Sequence, residues 1–157
     1  MDHKNTIIPN GTTKIEAHAY ENKQDIESVA FPTSLKYIGE NAFYNCSSLK
    51  VMELPSGIEW IEHRAFKGCP AVIFVPKSIR HIGAEAFAKN AVVFFESGEN
   101  DFDGYYNDQV VYDYPDSYYR GPSMGVDHII TRYYQTGCKR FYNATHAEFL
   151  AYIKEHS

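Results

Sequence analysis

Four times in the first hundred residues the chain repeats one phrase: a proline, an isoleucine six residues later, then an alanine and an aromatic residue at ten and eleven. Pro9, Pro32, Pro55 and Pro76 begin the copies, Ile15, Ile38, Ile61 and Ile82 follow, and Ala19-Tyr20, Ala42-Phe43, Ala65-Phe66 and Ala86-Phe87 complete them. The prolines are 23, 23 and 21 residues apart. At that period each copy is one coil of a solenoid, unable to bury its apolar face alone and stable only against its neighbours. Function then belongs to an exposed face of the stack or to the part that does not repeat.

The second copy, from Pro32 to Leu54, shows what each position does. Proline lacks an N–H and has a fixed φ, which suits a corner between strands. Leu35 and Ile38 bracket a short first strand, and Leu49, Met52 and Leu54 are expected to face inward from a second. Gly39 and Gly83 are read as turn residues, although Glu16 and Glu62 at the same position show that positive φ is not compulsory there. The rings at 20, 43, 66 and 87 are expected to stack as a column inside the coils. Cys46 and Cys69 share the position fourteen residues after the proline, where Lys23 and Asn90 stand in the other copies. They are expected to be buried and reduced, with an intercoil disulfide as the alternative that a spacing of about 5 Å permits.

The pattern Pro-x-x-Leu/Ile-x-x-Ile-Gly-x-x-Ala-Phe-x-x-Cys-x-x-Leu resembles the BspA-like class of leucine-rich repeats over residues 9 to about 96. Tyr20 and Lys23 depart from it in the first copy. The resemblance implies a solenoid that binds other proteins, with no catalytic residue in the repeat and a bacterial source among the options. The expected fold is therefore mainly β with a C-terminal α-helix: a short leucine-rich repeat solenoid of about four coils (1–96), capped by a small α+β segment (97–157).

Residues just before the buried isoleucine should point outward, and there the copies read Lys14, Tyr37, Trp60 and His81. Stacked coils align them into a ladder containing the chain's only tryptophan, a composition suited to protein binding. The competing reading packs these rings on the tail or on one another. Glu16, Gly39, Glu62 and Gly83 run beside the ladder and keep that edge soluble. Toward the end of the stack, Val72-Ile73-Phe74-Val75 and Ala91-Val92-Val93-Phe94-Phe95 are apolar on both faces, so both faces need cover, and the tail is expected to supply it.

From Glu96 to Tyr119 there is no Lys or Arg, but seven acids and six tyrosines. Asp101, Asp103, Asp108, Asp113 and Asp116 could present an acidic surface to a basic site on a nucleic-acid-processing protein, making the chain a small inhibitor or decoy. Alternatively the segment is a solvated connector with its tyrosines on the core. Asp101-Phe102-Asp103-Gly104 opens like a calcium loop, but the residue twelve along is Tyr112 rather than a glutamate, so no metal is expected. Cys138, beside Lys139 and Arg140, reads as a thiol of lowered pKa, and with His128 and Asp127 a nucleophilic site can be drawn, though the spacing matches no thiol enzyme. Thr145 and Glu148 form a capping box for a final helix with Phe149, Leu150 and Ile153 as its apolar stripe.

A formal charge of −5 argues against direct nucleic-acid binding. No stretch has the roughly 18 apolar residues of a membrane span, so neither membrane insertion nor export is expected and a cytoplasmic location is. No cofactor is implied. The partner expected is a protein, with self-association through the first coil or the last helix as a further option, and no enzymatic activity is anticipated.

Overall fold

The computed structural model describes residues 4–98, 103–104 and 138–156. Each coil contributes one two-residue strand, one longer strand and the turns between. The two-residue strands β2 (Lys14–Ile15), β4 (Tyr37–Ile38), β6 (Trp60–Ile61), β8 (His81–Ile82) and β10 (Asp103–Gly104) form one sheet in the order β10-β8-β6-β4-β2. A second sheet joins β5 (Val51–Glu53), β7 (Val72–Val75), β9 (Val92–Phe95) and β11 (Lys139–Phe141), while β1 (Asn5–Ile7) pairs with β3 (Ser28–Ala30). Every pairing is parallel, because successive coils run in the same direction. Strands β10 and β11 come from beyond the four recognised copies and extend both ladders by one rung.

Outside the strands the backbone still bonds from coil to coil. His18 N donates to Glu40 O at 2.9 Å, Tyr20 N to Ala42 O at 2.7 Å and Phe43 N to Ala65 O at 2.8 Å. These bonds satisfy groups that burial would otherwise orphan. They also hold the ring column in line: Tyr20–Phe43, Phe43–Phe66 and Phe66–Phe87 are stacked with centroids 5.1, 5.4 and 6.1 Å apart. Leu49, Met52 and Leu54 are buried from the second-strand side, as the pattern indicated.

The glycines serve a different purpose from the one read in the sequence. Positive φ falls instead at His18, Asn41, Arg64 and Glu85, equivalent residues two positions further on, with values of 54° to 63°. Gly39 and Gly83 are needed because the preceding coil passes too close for a side chain. A Cβ on Gly39 would lie 2.7 Å from Ala17 N, and one on Gly83 would lie 2.5 Å from His63 N.

Cys46 and Cys69 are buried free thiols. Each donates to a carbonyl of the coil before it, Tyr20 O at 3.2 Å and Phe43 O at 2.9 Å respectively. Hydrogen bonding to Cys46 together with burial pushes the Cys69 thiol up.

The helix α1 (His146–Glu155) lies on the outer face of the second sheet. Thr145 Oγ1 accepts from Glu148 N at 3.1 Å and Glu148 Oε2 accepts from Thr145 N at 3.1 Å, closing the capping box. Phe149 is buried against Phe74 and Phe94, with Val51, Val72, Val92, Phe141, Tyr152 and Ile153 around them. This second small core explains why β7 and β9 are apolar on both faces. Leu150 does not join it: at 48% exposure it points away, and Tyr152 takes its expected place in the stripe. One residue of helix turns a side chain by about 100°, which separates Leu150 from Phe149. No helix among the described residues is long and apolar enough to cross a membrane.

Candidate functional site

The register of the first sheet places Lys14 opposite Tyr37, Tyr37 opposite Trp60, Trp60 opposite His81 and His81 opposite Asp103. The four residues expected to form a ladder are thus one row. Their side chains touch in sequence. Lys14 Nζ lies 4.9 Å from the Tyr37 ring centroid, the Tyr37 and Trp60 rings are 14° from parallel at 6.5 Å, and Trp60 and His81 are 18° from parallel at 4.1 Å. The two readings of these rings therefore coexist, since they pack on one another and still leave an exposed edge.

Exposure is not uniform along the row. Lys14 is exposed, Tyr37 half-buried, and Trp60 38% exposed, but His81 retains only 2%. His81 was expected on the open surface; it is instead an interior member, with the Trp60 indole on one side and strand β10 paired on the other. Burial is also what pushes its imidazole down to about 4, with Glu62 opposing weakly. At neutral pH His81 is an uncharged stacking partner.

Glu62 has a larger role than edge solubility. Its Oε2 accepts from the Tyr37 hydroxyl at 2.8 Å and from the Trp60 indole N–H at 2.8 Å. One carboxylate oxygen thereby fixes two rings from adjacent coils. The sequence signal for it is position: Glu62 lies two residues after Trp60, just past the end of the strand that pairs with that of Tyr37. Burial raises the Tyr37 phenol well above its ordinary range, reinforced by its bond to Glu62 and by the charges of Glu62, Glu16 and Glu40. The row is thus aromatic in substance and negative in surroundings, with Lys14 as its one cation.

A family model described as "BspA type Leucine rich repeat region (6 copies)" matches residues 2–100. The chain belongs to the BspA-type leucine-rich repeat family. No curated protein and no solved structure gave a match. In this BspA-type chain the matched residues include the whole row from Lys14 to His81. Repeat proteins of this kind are typically interaction modules rather than enzymes.

The other sequence-derived sites fare differently. Of the acidic surface, Asp103 is placed in β10 beside His81, whereas Asp101, Asp108, Asp113 and Asp116 lie outside the described residues. Cys138 is buried, and burial raises its thiol against the smaller lowering effect of Arg140, so the basic neighbours do not produce the lowered pKa that the sequence alone suggested for them. His128 and Asp127 lie outside the described residues. Among the described residues no group of three or more His, Cys, Asp and Glu could hold a metal ion.

Proposed function

We propose that this protein is a non-enzymatic binding module that holds a protein partner on the face carrying Lys14, Tyr37 and Trp60, with His81 as the buried support of the row. The observation that carries this reading is the parallel register that brings these residues side by side while leaving Trp60 38% exposed. Large exposed aromatics backed by fixed neighbours are favourable binding anchors, because little side-chain freedom remains to be lost on association. Here the stack and the shared Glu62 oxygen have already ordered the rings.

The test is retention of lysate proteins on the immobilised full-length chain and on Tyr37→Ala and Trp60→Ala variants whose circular dichroism matches the parent. Loss of a retained protein in both variants is expected. Equal retention by all three chains would place the binding surface elsewhere and overturn the reading.

A further inference from the structure

The row has two different ends. At one end, strand β10 pairs with the strand carrying the buried His81. At the other, the Tyr37 ring has Trp60 stacked against it, and the flexible side chain of Lys14 reaches over it. Lys14 Nζ sits 4.9 Å from the ring centroid and 3.7 Å from Glu16 Oε1. Both side chains of that ion pair are more than half exposed, so the contact is weakly held and easily exchanged. Glu40 and Glu62 add negative charge around the same ring, and the whole chain carries −5.

Resting on the binding reading above, we propose that the Tyr37 face and the Glu16 carboxylate form a cation seat for an arginine side chain of the protein partner, and that Lys14 is its displaceable internal occupant. The chemistry favours exchange of an ammonium for a guanidinium. A cation is attracted to the face of an aromatic ring, and the planar guanidinium stacks there while donating two N–H bonds to one carboxylate. Lysine can reach the ring and Glu16 only as a point charge. The ring is prevented from turning away by the bond from its hydroxyl to Glu62 at 2.8 Å.

The experiment is a titration of the isotope-labelled full-length chain with four capped tripeptides, Gly-Arg-Gly, Gly-Lys-Gly, Gly-Leu-Gly and Gly-Glu-Gly, read by amide and indole chemical shifts. The arginine peptide should move resonances of Lys14, Glu16, Tyr37 and the Trp60 indole, the lysine peptide should move them less, and the other two should leave them in place. Glu16→Gln should weaken arginine binding about threefold and Lys14→Ala should tighten it about threefold, the range expected of an exposed cation–π contact. Lys50→Ala, which makes the same charge change at a residue paired with Glu27 instead, should bind as the parent does.

Equal movement of the row by the leucine peptide would overturn the cation seat and leave the row as an apolar binding surface. Arginine-induced shifts confined to other residues and unchanged in Tyr37→Ala would overturn the seat. An absence of shifts with every peptide at millimolar concentration would overturn the seat alone, because the retention experiment judges the row independently.

Discussion

Trp60 and His81 lie 4.1 Å apart between ring centroids and 18° from parallel, yet the indole is 38% exposed and the imidazole 2%. The two occupy equivalent repeat positions. Their difference comes from the next rung, where β10 pairs with the strand of His81.

His81 should make the protein acid-sensitive. Its folded pKa of about 4 lies below the ordinary 6.5, so between those values the unfolded chain binds the extra proton and the folded chain does not. Stability is then fully present above about pH 6.5 and is lost as pH falls toward 4, by about 3 kcal/mol at most. Urea unfolding at a series of pH values should show this slope, and His81→Phe, which keeps a ring against Trp60, should flatten it. An unchanged slope in that variant would assign the acid sensitivity to other groups.

Tyr37 acts at the opposite end of the pH scale. Because its folded pKa is raised, its contribution is intact below the ordinary tyrosine value near 10 and is lost as pH rises beyond it. Tyr37→Phe should therefore have a shallower alkaline loss of stability than the parent. Glu62→Gln should lower the Tyr37 titration measured by ultraviolet absorbance, since the carboxylate is among the causes of the raised value.

Two glycines should respond unequally to the same substitution. Gly83→Ala would drive a Cβ to 2.5 Å from His63 N and 2.8 Å from Glu62 C, backbone atoms that cannot step aside. It should cost about 1–3 kcal/mol and shift the Trp60 fluorescence by moving Glu62. Gly57→Ala meets the end of the Lys36 side chain at 3.0 Å, which can move, and then the Thr33 carbonyl oxygen at 3.3 Å, a far milder approach than 2.5 Å. It should cost clearly less than Gly83→Ala in thermal denaturation, and an equal loss would contradict the packing argument.

Phe149 holds the helix on the second sheet. Phe149→Ala removes the buried centre of a cluster containing Phe74 and Phe94 and should cost about 3–5 kcal/mol. Thr145→Ala removes the cap and should cost about 1 kcal/mol. Calorimetry compares the two directly. A Phe149→Ala chain as stable as the parent would mean that the sheet does not depend on the helix for cover.

The sequence by itself determined the stack and its rows. A period of 21 to 23 residues forces equivalent positions into register, so the buried ring column, the Cys46 and Cys69 positions and the Lys14-to-His81 row could all be drawn before any coordinates. The helix and its cap were equally legible, because capping is local chemistry. What only the tertiary structure decided depends on distances between coils and on strands contributed from outside the repeat. Gly39 and Gly83 looked like turn residues because sequence shows a missing side chain but not the backbone that passes over it. Glu62 looked like a solubilising charge because its two donors come from different coils. His81 looked exposed because the position before the buried isoleucine points outward in the repeat, and it closes only where β10 adds a rung. Periodicity specifies which residues are equivalent, whereas burial depends on what lies beside each of them, and at the end of a stack those two cease to coincide.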